Sequence, residues 1–104
     1  LLSRNVIIHG DELSQAQKFG SHLAAQHGAM LKLENAEIYD CGQQGILGRY
    51  CSHWHMPNKL EEAYIRANSI HHSFQRAVTI HAVDYARIQD NVAYHVAGPS
   101  IFVE

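Results

Sequence analysis

Charge is scarce in this sequence and balanced where it occurs. Only 17% of the 104 residues are Asp, Glu, Lys or Arg, 8 basic against 10 acidic, with a formal net charge of −2. No basic stripe stands out, which removes the electrostatic footprint of a nucleic-acid binder. Long apolar runs are also missing. Nothing approaches the ~20 residues that a membrane-spanning helix needs. There is no linker, internal repeat or low-complexity tract. Cysteine is limited to Cys41 and Cys51. A disulfide between them needs an oxidising compartment, and no signal peptide is visible, so free thiols in a reducing cytosol are expected.

What remains is a chain with 46% apolar residues and room for one core, expected as a single α+β domain over residues 1–104. Residues 5–9 read as a short buried strand. Asp11 then offers a helix N-cap. Leu13, Ala16, Gly20, Leu23, Ala24 and His27 follow at helical spacing, with Gly28 as the stop. Residues 30–39 read as a strand whose phase slips at Asn35, through a bulge or a turn. A Gly-rich connection leads into a strand candidate at 49–56. A second helix is predicted from Pro57 and Asn58 to near Gln75, burying Leu60, Ala63, Tyr64, Ala67, His71 and Phe74. Val78, Ile80 and Ala82 then alternate as a strand. Asp90 and Asn91 form a hairpin turn into Val92, Tyr94 and Val96. Residues 83–89 fit either strand or a helical turn. The order β-α-β-β-α-β-β implies a mostly antiparallel sheet with two helices packed on one face. The face left bare is expected to drive a homodimer.

Histidine is what the chain has in excess, with nine residues; protonating all of them would take the formal net charge from −2 to +7. The segment Cys51, Ser52, His53, Trp54, His55 is the densest in chemistry. On a strand, alternate residues share a face, so Cys51, His53 and His55 project together, opposite Ser52, Trp54 and Met56. Neutral imidazole is the commonest metal ligand, which makes His53 and His55 candidate ligands of a divalent transition metal such as Zn, with Cys51 a further candidate. Strand neighbours two apart are separated by ~6.5–7 Å, so a pair can share one ion while Cys51 and His55 do so with difficulty. The missing ligands would come from His71, His81, Asp84 or His95. In the predicted hairpin Asp84 is diagonal to His95, a suitable outer partner. Cys51 is a nucleophile only if a neighbouring His, such as His53, lowers its pKa. Gly42, Gly45 and Gly48 do not make a phosphate loop, because no Lys-Ser/Thr ending follows and no helix begins there.

The His-Trp-His triplet resembles the His-hydrophobic-His metal motif of single-strand nicking enzymes, the relaxase and replication-initiator class. Those enzymes add a tyrosine nucleophile on a helix. Tyr64 is on the predicted second helix, but on its apolar face, where a core tyrosine belongs. A second resemblance is to the diphtheria-toxin-like ADP-ribosyltransferases. His9-Gly10 closes the first strand, Gly48-Arg49-Tyr50 opens a later one, and Glu104 comes late. That resemblance implies NAD, with His9 on its ribose, Tyr50 stacked on nicotinamide and Glu104 polarising the reacting ribose.

These features together predict a cytoplasmic binding domain acting as a homodimer on a protein or small-molecule ligand. The rival class is a small enzyme, metal-dependent through His53 and His55 or NAD-dependent through His9, Tyr50 and Glu104. Membrane and nucleic acid are not expected as partners.

Overall fold

Short runs of alternating apolar and polar residues are cut, in this chain, by single residues in the left-handed backbone region. Asn35, Ala67 and Asp90 take φ of 56°, 57° and 55°; Asp40, His72 and His95 take 47°, 50° and 50°; His27, Met56 and Ala82 take 42°, 51° and 50°. Such a φ costs a non-glycine residue about 1–2 kcal/mol and turns an extended chain sharply. The computed structural model, which describes residues 4–59 and 61–104, shows what the turns are for. The chain coils, and each set of three forms one corner on successive turns.

The first turn comprises β1 (Val6–His9), a single helical turn α1 (Ser14–Gln17), β2 (Leu23–Gln26) and β3 (Lys32–Glu34). The second holds β4 (Ala36–Cys41), β5 (Ser52–Lys59) and β6 (Tyr64–Arg66). The third holds β7 (Ser69–Ser73), β8 (Val78–Asp84) and β9 (Arg87–Gln89), and the fourth β10 (Val92–Val96) and β11 (Ile101–Val103). Strands stack as β1-β4-β7-β10, β2-β5-β8-β11 and β3-β6-β9. Every ladder between them is parallel. The architecture is a parallel β-helix with three faces.

Its core consists of in-register columns. Ile8, Ile38, Ile70 and Ala93 form one. Ala25, Trp54 and Ile80 form a second, and Leu33, Ile65 and Ile88 a third. Trp54 is fully buried, and small Ala25 beneath it leaves room for the indole. One corner is stapled by a polar ladder. The Asn68 side chain accepts from the Ala36 N–H (2.9 Å) and donates to the Leu33 carbonyl (3.1 Å). One turn later Asn91 repeats this, accepting from the Asn68 N–H (3.0 Å) and donating to the Ile65 carbonyl (2.9 Å). Each Asn thereby satisfies the two backbone groups that the corner of the preceding turn leaves unpaired.

The α+β expectation with two packed helices and an antiparallel sheet is overturned by this coil. The first predicted helix is one turn at Ser14–Gln17, and Leu23 and Ala24 belong to β2. The second is the end of β5, then β6 and β7; Leu60 lies outside the described residues. The error has a physical source. Ala63, Ile65, Asn68 and Ile70 are the buried positions, spaced two, three, two, with the longer step across left-handed Ala67. Period-2 alternation with a slip at each corner averages towards a helical period. The slip expected at Asn35 is such a corner. Asp90 and Asn91 form the next corner and its ladder, where a hairpin was expected. Residues 83–89 are the end of β8, a left-handed Tyr85 and β9. The absence of repeats in the sequence also misled, because the coil repeats in geometry and not in residue identity. Finally, the three sheets close their apolar faces on one another. On the last turn Ile101 and Val103 are in register with Val78 and Ile80 and are 55% and 72% exposed.

Candidate functional site

The outer surface of β2-β5-β8-β11 carries a cleft of about 630 Å³. Alternation on β5 turns Trp54 inward and His53 and His55 outward, as expected from the sequence. The parallel register then stacks Gln26, His55 and His81 in one column. Glu104 extends it: its N–H donates to the Ile80 carbonyl (2.9 Å), and its carbonyl accepts from the Ala82 N–H (3.1 Å). His53 lies beside this column, between Ala24 and Thr79. Ring centroids are 5.1 Å apart for His53 and His55, 4.9 Å for His55 and His81, and 6.4 Å for His53 and His81. One nitrogen from each of the three lies within 4.8 Å of the others.

The wall of the cleft is the loop between β4 and β5, and its base is tied by a Cys41–Cys51 disulfide. Closing a loop of this size stabilises the fold by about 3 kcal/mol. It also fixes two carbonyls over the cleft. Gly48, at φ +84°, turns its carbonyl to His53 Nδ1 at 2.9 Å. The Tyr50 carbonyl faces His22 Nδ1 at 2.7 Å. A carbonyl can only accept, so both imidazoles donate from Nδ1, and in a neutral ring so held the lone pair is on Nε2. His53 is 4% exposed, and its Nε2 meets no hydrogen-bond partner among the described residues. His55 Nδ1 is also buried without one. Burial pushes the His53 pKa below its usual range; the Gly48 carbonyl opposes the shift, His55 and His22 add to it, and Glu104 opposes it.

The rim is braced by Arg76. Its guanidinium lies over the rings of Tyr50 (4.7 Å) and Phe102 (3.7 Å) and pairs with Glu104 Oε2 at 3.4 Å. The other Glu104 oxygen is 3.8 Å from His81 Nδ1. Exposed Arg49 lines the opening.

Of the sequence-derived ligands, His53, His55 and His81 come together. His71 and His95 lie on the β1-β4-β7-β10 sheet, and Asp84 is exposed at the end of β8, so the Asp84–His95 pairing is not made. Cys51 is no thiolate, since its sulfur is in the disulfide; the expectation of free thiols is corrected. His9, Tyr50 and Glu104 do not form one site. Tyr50 and Glu104 line the cleft, while His9 is on the other sheet, stacked on Tyr39. Tyr64 sits on strand β6, with Arg66 over its ring at 4.2 Å, and not on a helix. Sequence reasoning missed the two carbonyls and His22 as parts of the cleft, and Arg76 as the contact that holds Tyr50 and Glu104 beside it. Backbone carbonyls carry no residue signature. Arg76 and Glu104 meet only through the coil.

The opposite treatment of histidine appears on the β1-β4-β7-β10 sheet. His9, Tyr39, His71 and Tyr94 are in register, and their rings stack at 5.0, 5.3 and 4.7 Å, within 13° of parallel. His71 Nε2 bonds Glu37 at 2.7 Å and its Nδ1 bonds His72.

A disulfide-clamped parallel β-helix with a histidine cleft on one face therefore defines the architecture. Residues 18–104 match the family described as CEMIP beta-helix, and the chain belongs to that family. Over its whole length it is 33% identical to a G8 domain-containing protein of Dictyostelium discoideum, covering 9% of that protein. It is 32% identical, over 125 aligned residues, to the human cell migration-inducing and hyaluronan-binding protein, and 31% identical over 123 to the cell surface hyaluronidase of Danio rerio. Each alignment takes in the whole chain and 9% of the relative. The chain thus spans less than a tenth of the length of these curated relatives. No solved structure matches it. The expected cytoplasmic location is overturned by the disulfide, which a reducing cytosol does not sustain, and by a relative named for the cell surface.

Proposed function

We propose that this chain is a ligand-binding module of an extracellular protein, with the histidine cleft as its site and an acidic polysaccharide of the hyaluronan kind as its ligand. The observation that carries the reading is the cleft itself. On a chain of net charge −2, it gathers four imidazoles and Arg49 along one groove beside the buried Tyr50 ring. Arg recognises a carboxylate with a fork of donors, and the imidazole nitrogens not engaged by the loop carbonyls suit sugar hydroxyls. Two relatives are named for hyaluronan, which is the reason for preferring that polymer over other acidic ligands.

Calorimetry with hyaluronan oligosaccharides tests the reading, with neutral dextran fragments as control. Saturable binding to hyaluronan alone is expected. Arg49→Ala should weaken it about tenfold, a loss of ~1.4 kcal/mol for one charge-assisted contact. Equal binding of dextran, no binding, or an unchanged affinity in Arg49→Ala would remove the proposal.

A further inference from the structure

We infer that His53, His55 and His81 form a three-histidine site for a transition metal, zinc by its coordination preference, with one coordination position open to the cleft. This inference is independent of the polysaccharide reading.

Three observations carry it. The first is the convergence of the donors, all within 4.8 Å of one another. Tetrahedral zinc with ~2.0–2.1 Å bonds needs donors ~3.4 Å apart, so the imidazoles must close by about 1.4 Å, within the reach of small χ rotations. The second is the unsatisfied chemistry. His53 Nε2 and His55 Nδ1 are buried and meet no partner among the described residues. A buried polar atom without a partner destabilises the fold, and a bound ion would remove that penalty. The third is the outer arrangement. Histidines that bind a metal give their other nitrogen to a backbone carbonyl or a carboxylate. His53 does so with Gly48, and His81 Nδ1 faces Glu104. Glu104 is held in turn by Arg76.

The opposite sheet supplies the contrast. Both nitrogens of His71 already serve Glu37 and His72, so that ring has no lone pair to offer. Three imidazoles suit zinc, copper, nickel or iron; with no fourth protein ligand assigned, a water or a ligand atom in the cleft completes the set.

The experiment uses untagged protein with its disulfide intact, stripped by a chelator and dialysed. Cobalt(II) titration should give the visible absorption of a tetrahedral site at one equivalent, displaced by one equivalent of zinc. Elemental analysis after gel filtration should find one zinc per chain, and zinc should raise the Tm. His53→Ala and His81→Ala should each weaken binding by on the order of 100-fold, since losing a ligand exceeds the 10–100-fold effect of losing an outer partner. His95→Ala, exposed on the other sheet, should bind as wild type. If His53→Ala fails to fold, the partly exposed His81→Gln carries the test. Substoichiometric metal in the wild type, an affinity unchanged in the folded cleft variants, or an equal loss in His95→Ala overturns the site.

Discussion

His71 and His81 lie on the same turn of the coil, one on β7 and the other on β8, and their surroundings differ in every respect that matters to function. His71 is sandwiched flat between Tyr39 and Tyr94, with both nitrogens hydrogen-bonded. His81 meets its neighbour His55 edge-on, and its donor converges with those of His55 and His53. The first arrangement consumes the polar capacity of imidazole in holding the fold. The second leaves that capacity unspent. Each ring has a glutamate beside it, so the difference lies in the other neighbours and in how closely the nitrogens are engaged: tyrosines on both faces and a 2.7 Å bond to Glu37 for His71, further histidines and a Glu104 oxygen at 3.8 Å for His81. An inventory of histidines is therefore a poor guide to a site. What counts is whether the nitrogens already have partners.

The largest effect that bears on this comparison comes from the interior beneath the cleft. Trp54→Ala should lower unfolding free energy by about 3–5 kcal/mol, measured by urea denaturation, and should abolish metal binding, because the column that sets the spacing of His53 and His55 collapses. A harmless Trp54→Ala would mean that the two faces of β5 are reversed.

A smaller and more selective effect separates the two sheets. His71→Ala removes two ring stacks and the bond to Glu37, for about 2 kcal/mol of stability, while cobalt affinity stays within twofold. His81→Ala should do the converse. Metal-free stability should move by no more than ~0.5 kcal/mol, since the side chain is partly exposed, and the metal should be lost. Parallel losses of stability and binding in both variants would erase the distinction drawn between the sheets.

The smallest effect is a pH slope. The folded pKa of His53 lies below its unfolded value of ~6.5, so the folded state prefers the neutral ring. That contribution is fully present above pH 6.5 and is lost as pH falls from there through the folded pKa. In metal-free protein the Tm should decline across this window, and His53→Gln should make the decline shallower. An identical slope in wild type and His53→Gln would show that the ring titrates as it does in water.

Parts of this were legible without a structure. The position of strand β1, the alternation that turns Trp54 in and His53 and His55 out, and the phase break at Asn35 follow from local pattern, because side chains alternate on any strand whatever it pairs with. The expected burial of β1 does not hold, since Val6 and Ile7 are 58% and 51% exposed on the first turn of the coil. The corners were not legible. Asn35, Asp40 and Asp90 belong to types that tolerate the left-handed region, but Ala67, Met56 and Ala82 do not, and these are held there by their neighbours in the coil. The helical spacing around Ala63 and Ile70 was a by-product of those corners.

The sequence by itself determined which residues face in and which face out along each short strand, and so placed two imidazoles side by side. Only the tertiary structure decided that strands stack in parallel about 4.8 Å apart, so that residues a full turn distant become nearest neighbours. That stacking brings His81 to His55 and Glu104 to His81. Within one turn, the fold of the β4–β5 loop brings Cys41 to Cys51 and sets the Gly48 carbonyl over His53. The same stacking closes His71 into a ladder of rings. The physical reason is that local alternation fixes orientation over a few residues, whereas the register between turns is set by corners and by columns of packed side chains, which no single stretch of sequence contains.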